Sequence, residues 1–142
     1  MQLSARNQLK ATVTEVKKGA VNNEIDMRLE KGTLLTSIIT TASSDSLGLE
    51  AGKEVYAVIK ASNVMIGEEP GGLRLSARNQ LKGTVAAVNH GAVNAEVLIT
   101  LESGEEIASI ITMASAERLA LAAGVKAAAI IKASDVMIGV KE

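Results

Sequence analysis

No cysteine, phenylalanine or tryptophan occurs among the 142 residues, and there is one tyrosine, one proline and one histidine. Without cysteine there is no disulfide, no thiolate metal site and no cysteine nucleophile, which accords with a reducing compartment. With Tyr56 as the sole aromatic, the core must be assembled from Val, Ile, Leu, Ala and Met. The surface equally lacks the aromatic faces on which single-stranded nucleic acid stacks, each worth about 1–3 kcal/mol per base. Fifteen basic and sixteen acidic side chains are interspersed for a formal charge of −1, so no net basic face is offered to duplex DNA or an anionic membrane. No apolar run approaches a membrane span, and Met1–Lys10 is polar with no apolar signal-peptide segment; a cytoplasmic location is expected.

The catalytic signatures are missing too. The lone histidine, His90, falls in a turn where the corresponding stretch of the chain carries Lys18, which reads as a surface position rather than a base beside a nucleophile. Neither Gly-x-x-x-x-Gly-Lys-Ser/Thr nor Gly-x-Gly-x-x-Gly is present. The carboxylates are scattered along strand faces rather than clustered for a metal cation. No enzyme, no catalytic cofactor and no metal-cation site is expected.

What the sequence does contain is itself, twice. Leu3-Ser4-Ala5-Arg6-Asn7-Gln8-Leu9-Lys10 returns at Leu75–Lys82, and residues 1–70 align with 73–142 without a gap, 38 of the 70 pairs being identical. The expected division is 1–69, a linker at 70–72 around Pro70-Gly71-Gly72, and 73–142. Units of about 70 residues bury only about 60% of their unfolded surface, so docking of the two halves or self-association is the expected remedy.

Within one copy, Leu9, Ala11 and Val13 alternate with polar residues and Val16 breaks phase, a strand with a bulge. Ile25, Met27 and Leu29 alternate with Glu24, Asp26, Arg28 and Glu30, a second strand with one wet face. Lys31-Gly32 and Ser103-Gly104 turn the chain into third strands at Leu34–Thr40 and Glu106–Thr112. Ser43 is expected to cap a short helix ending at Gly52, with a counterpart at Ser115–Ala122. Lys53–Lys60 and Val125–Lys132 read as fourth strands, Ser62–Ile66 and Ser134–Ile138 as fifth ones. Strand, strand, strand, short helix, strand, strand is the order of the five-stranded Greek-key barrel, the OB-fold. The expected class is therefore all-β with a short helix per repeat, as two tandem OB-fold-like barrels, each copy closing its own.

Donor-rich ends remain. Ser4-Ala5-Arg6-Asn7-Gln8 enters the first strand with hydroxyl, guanidinium and amide donors, Lys60-Ala61-Ser62 leaves the fourth, and Thr40 and Thr41 end the third. If these ends converge, they surround a point with N–H and O–H groups and suit a fully deprotonated oxyanion. Serines at strand ends also cap turns, and Arg or Lys there is commonly solvated; spacing alone leaves both readings open.

Ser-Ala-Arg-Asn-Gln-Leu-Lys-Gly-Thr-Val, Gly-Ala-Val-Asn-Ala-Glu-Val and Ile-Lys-Ala-Ser-x-Val-Met-Ile, at Ser76–Val85, Gly91–Val97 and Ile131–Ile138, resemble the Mop domains of molbindins. Both copies match over essentially their whole length, so the chain resembles a di-Mop molbindin, a cytoplasmic molybdate-binding protein. The resemblance implies molybdate or tungstate bound between Mop units, and a homotrimer presenting six of them, for molybdenum storage or homeostasis without nucleic acid or membrane partners. Matching the family's oxyanion segments are Ser4, Arg6, Thr40, Lys60, Ala61 and Ser62, with Ser76, Arg78, Thr112, Lys132, Ala133 and Ser134. Val21-Asn22 and Val93-Asn94 match its turn for a second type of anion site. The first copy departs with Ala11, Asn23 and Asp26; an added carboxylate near a dianion opposes binding. The rival readings are an OB-fold adaptor for single-stranded nucleic acid or protein, and a structural oligomer whose polar strand ends bind nothing.

Overall fold

The computed structural model describes residues 2–69 and 71–142; Met1 and Pro70, the proline expected to mark the linker, lie outside the described residues. The first repeat runs β1 (Asn7–Lys17), β2 (Asn22–Leu29), β3 (Leu34–Thr40), α1 (Thr41–Ser46), β4 (Glu54–Ile59), a 3-10 turn (Ala61–Asn63) and β5 (Met65–Glu68). The second runs β6 (Asn79–His90), β7 (Asn94–Leu101), β8 (Glu106–Thr112), α2 (Met113–Arg118), β9 (Lys126–Ile131), a 3-10 turn (Ala133–Asp135) and β10 (Met137–Gly139). The bulge expected near Val16 lies between Val13 and Glu15, and its copy between Val85 and Ala87.

Two details of the helices differ from expectation. Thr40, not Ser43, is the N-cap of α1: its Oγ1 accepts from the Ser43 N–H at 3.1 Å, and Thr112 does the same for Ser115 in α2. Each helix also ends earlier than expected. Gly48 follows α1 in the left-handed region (φ 63°), and its counterpart Ala120 adopts the same conformation (φ 51°), so the chain turns away before Gly52 and Gly124.

The larger correction concerns closure. The strand orders are β10-β4-β1-β2-β3 and β5-β9-β6-β7-β8, all neighbours antiparallel. Each curled sheet thus takes its fifth strand from the other repeat: Met137, Ile138 and Gly139 pair with Val58, Ala57 and Tyr56, and Met65–Glu68 pair with Ile130–Ala127. Neither copy closes its own barrel. Val-Met-Ile-Gly recurs in both repeats, so either sheet can accept either segment and the local pattern does not choose between exchange and self-closure.

The exchange is secured by polar clasps that obey the repeat. Asn7 Nδ2 donates to the Ala108 carbonyl at 2.8 Å, and the Ala108 N–H donates back to Asn7 Oδ1 at 2.8 Å. Asn79 makes the same two bonds with the main chain of Thr36, both 2.8 Å. A buried amide thereby continues an antiparallel ladder across the repeats. Ser37 Oγ donates to the Val136 carbonyl and Ser109 Oγ to the Val64 carbonyl, each at 2.6 Å, joining β3 and β8 to the incoming segments. Every polar atom in these clasps is satisfied, as burial requires.

The expected core faces are buried: Val13, Ile25, Met27, Leu29, Val55 and Ile59 in one sheet, Val85, Val97, Ile99, Leu101 and Ile131 in the other, all within one aliphatic cluster. Val64 and Val136, just before the exchanged strands, are 1% exposed and belong to the same cluster. The core therefore runs through both repeats.

Replacing Asn7 by Ala leaves a buried N–H and carbonyl unpaired, so Asn7→Ala and Asn79→Ala should each lower the unfolding free energy by about 1–3 kcal/mol. Urea unfolding checks this; losses below about 0.5 kcal/mol, typical of plain surface changes, would contradict the clasp.

Candidate functional site

Gln8 Nε2 donates to the carbonyls of Leu3 (3.3 Å) and Ala5 (2.9 Å), and Gln80 to those of Leu75 (3.1 Å) and Ala77 (2.8 Å). The arm before each long strand is thereby folded back on itself. The 3-10 turn after β4 is closed by the Asn63 N–H on the Lys60 carbonyl at 2.9 Å, and the one after β9 by Asp135 on Lys132 at 2.9 Å. Arm and turn meet. Ser4, Arg6, Lys60, Ala61 and Ser62 line one cavity of about 320 Å³, and Ser76, Arg78, Lys132, Ala133 and Ser134 line a second of about 350 Å³.

Because the strands are exchanged, each cavity is built by both repeats. Ile110 and Met137 wall the first, and Ile38 and Met65 the second. Met137 is 52% exposed and Leu3, at the other side of the same cavity, 45%. In a single chain the donors thus sit in an open bowl with an apolar rim. One guanidinium, one ammonium and two hydroxyls in each bowl make a set rich in donors and cationic in sum, suited to a small oxyanion.

The sequence reading missed what holds the arginines. Arg6 is ion-paired with Glu96 on β7, and Arg78 Nη1 with Glu24 Oε1 on β2 at 2.8 Å. These are again contacts between repeats. Glu24 also receives Lys17 Nζ at 3.1 Å, and Lys17 reaches Asp26 at 3.4 Å; on the other side Asn89 Nδ2 donates to Glu96 at 2.9 Å. The Arg78 hydrogen bond, opposed by desolvation and aided by Lys17, holds the Glu24 carboxyl down at about 2. Its signal in the sequence was the recurrence of Glu and Arg at the same offset, Glu24 with Glu96 and Arg6 with Arg78, but nothing local said that they would meet.

Other expected residues lie elsewhere. Thr40 and Thr112 line neither bowl; their hydroxyls cap α1 and α2. Thr40 pairs with Asn22 across β2 and β3, and Thr112 with Asn94 across β7 and β8, so these threonines share a sheet end with the Val21-Asn22 and Val93-Asn94 turns. Val21 and Val93 are exposed there, and their carbonyls accept the Thr41 and Met113 N–H groups at 2.8 Å. The amide of Asn7, counted in the sequence among anion donors, is spent on the inter-repeat clasp. Asn23 is buried, its Oδ1 taking the Thr41 hydroxyl (3.0 Å) and the Gly19 N–H (3.2 Å); Ala95 and Met113 replace that polar pair in the second repeat. His90 is exposed at the end of β6. Among the described residues no group of three or more His, Asp or Glu is placed to hold a metal ion, and no helix is long and apolar enough to cross a membrane.

Glu24 titrates below its ordinary 4.5, so its pairing stabilises the fold fully above that pH and loses effect as pH falls toward about 2. The stability difference between the parent and Glu24→Gln, followed by urea unfolding, should be constant above about pH 5 and shrink in acid; a difference that grows on acidification would contradict the pairing.

The TOBE domain model matches residues 3–66 and again 75–138. The molybdenum-pterin-binding protein MopA of Rhodobacter capsulatus is 47% identical over 140 residues, covering 97% of this chain and 52% of that protein. The molybdenum transport protein ModE of Azotobacter vinelandii is 43% identical over 140 residues, covering 99% of this chain and 52% of its own length. The chain thus spans about half the length of these relatives. A crystal structure of the cytoplasmic molybdate-binding protein ModG with molybdate bound superposes with a TM-score of 0.94 at 49% identity, over 99% of this chain and 100% of that one. With both repeats matched almost end to end, the chain belongs to the TOBE domain family and carries two copies of it.

Proposed function

We propose that this chain binds molybdate, and tungstate by the same chemistry, in the two bowls around Arg6 and Arg78, and serves as an intracellular reservoir for the oxyanion. The observation that carries the reading is the duplicated bowl, with Ser, Arg, Lys, Ala and Ser recurring in both. The molybdate-bound neighbour of 49% identity supports the choice of anion.

A tetrahedral dianion only accepts hydrogen bonds, so a lining made of donors can pair with all its oxygens. Phosphate near neutrality keeps a proton on part of its population, its second pKa being about 6, and that proton would face another donor. Sulfate has no such proton and is to be discriminated by its shorter bonds. Each unit-charge pair about 4 Å apart returns roughly 4 kcal/mol at an effective dielectric of about 20, so one Arg and one Lys offset much of the cost of desolvating the anion.

The exposed rim of Leu3 and Met137 at the first bowl, and of Leu75 and Met65 at the second, supports sites completed by another copy of the chain. The assembly we propose is a homotrimer with six TOBE units, divided as 1–69 and 73–142 with 70–72 as linker. Thr40, Thr112 and the Val21-Asn22 and Val93-Asn94 turns, placed together at the sheet ends, are then donors for a neighbouring subunit or a second type of anion site. This is a binding role, without catalysis, in the cytoplasm.

A ligand that binds only the folded assembly stabilises it by mass action, about 2.7 kcal/mol at a hundredfold excess over Kd. Molybdate and tungstate should therefore raise the melting temperature progressively, and sulfate and phosphate at matched ionic strength far less. Equal shifts from all four anions would reject selective binding. In the double variant Arg6→Ala, Arg78→Ala most of the shift should vanish while circular dichroism stays that of the parent; an undiminished shift would count against the arginines.

A further inference from the structure

The two bowls are lined alike but do not sit in the same electrostatic field. Ser, Arg, Lys and Ser match one for one, so the lining side chains give no reason for the sites to differ. One difference stands at the turn that closes each bowl, where the second carries Asp135 and the first Asn63; the other lies behind the arginine. Behind Arg78, Glu24, Asp26 and Glu15 share the single ammonium of Lys17, at 3.1, 3.4 and 3.8 Å. Behind Arg6 stands Glu96, hydrogen-bonded by neutral Asn89, while Ala87 and Leu98 occupy the positions of Glu15 and Asp26. Three carboxylates against one ammonium leave two negative charges; one carboxylate beside an amide leaves one.

Of the groups that make this difference, Asp26 is the one solvent screens least. Its side chain is 25% exposed, whereas Glu15 and Lys17 are 59% and 52% exposed and nearly cancel in water. Thr36 Oγ1 donates to Asp26 Oδ1 at 3.1 Å and fixes the carboxylate on the face that carries Glu24; in the second repeat Ala108 stands opposite Leu98 instead. The Arg78 guanidinium holds its proton more firmly than an ordinary arginine, chiefly through the Glu24 hydrogen bond and charge, with the charge of Asp26 adding a smaller share against desolvation. The field of Asp26 therefore reaches the side chain that must meet the anion.

Resting on the reading that these bowls take molybdate, we propose that Asp26 makes them unequal, so that the anion fills the Arg6 bowl first and the Arg78 bowl at higher concentration. Two nearly identical sites thus divide a range of molybdate concentration between them. One half-buried aspartate in the first repeat tunes the site whose arginine comes from the second.

Calorimetric titration of the full chain with sodium molybdate at low salt tests this. The parent should show two classes of site, separated in Kd by about threefold to tenfold as one extra charge at partial screening allows. Asp26→Leu, which installs the residue of the second repeat, and Asp26→Asn, which removes only the charge, should both tighten the weaker class and narrow the gap, leaving the part due to Asp135. Leu98→Asp should weaken the stronger class. Arg78→Ala should delete the weaker class and Arg6→Ala the stronger, and added salt should narrow the gap in the parent. Unchanged constants in both Asp26 variants, or the opposite assignment of classes to arginines, would overturn the inference while leaving molybdate binding intact. No heat or dialysis signal with molybdate in the parent would overturn the functional reading, and this inference with it.

Discussion

The side-chain amides of Asn7 and Asn79, each locked in two 2.8 Å hydrogen bonds to the main chain of the opposite repeat, hold the points on which everything else turns. They stand at the first position of β1 and the first of β6, one residue after the arginines that enter the bowls. An amide whose oxygen and nitrogen are both committed cannot rotate without leaving buried groups unpaired, which fixes where the preceding arm leaves the sheet. Fold and site are therefore coupled through a single residue type in each repeat. The same clasp that joins the repeats places Arg6 beside Glu96 and Arg78 beside Glu24.

Exchange of the last strands explains how a core without aromatic rings suffices. A unit of about 70 residues has little interior of its own, and Val, Ile and Ala side chains reach less far across a barrel than Phe or Trp would. Sharing β5 and β10 brings Val64 and Val136 into one continuous cluster with both sheets, so two marginal units become one larger core. It also creates the composite walls of the bowls, since Met65 and Met137 stand on the exchanged strands. In this chain stabilisation and site-building are the same contact seen from two sides.

Much of this could be read in the sequence, and the reasons it stopped are physical. Alternation located β1 and β2 because one face is buried and the other wetter, Ile25, Met27 and Leu29 being the plainest case; β4 and β9, buried on both faces past their first residues, are legible as runs of Val, Ile and Ala. The two bowls were legible as donor-rich ends that recur. The destination of the fifth strand was not legible, because Val-Met-Ile-Gly occurs in both repeats and local pattern cannot say which sheet it joins. The capping role of Thr40 was not legible, because its bond to Ser43 depends on where the helix begins, and Ser43 is itself a residue type that marks such a boundary. Glu24 reads locally as a wet-face residue, and Glu96 carries no local signal of a partner. Their partners lie 54 and 90 positions away in the chain, beyond any local periodicity.

The central claim is that the exchanged fold builds two oxyanion bowls, one at each arm. Anomalous diffraction at the molybdenum edge from crystals grown with molybdate tests it most directly. The account predicts strong peaks between Arg6 and Lys60-Ala61-Ser62 and between Arg78 and Lys132-Ala133-Ser134, with β10 paired to β4 and β5 to β9 in the same chain. Molybdenum bound away from both arms, or a map with each repeat closed by its own fifth strand, would contradict it.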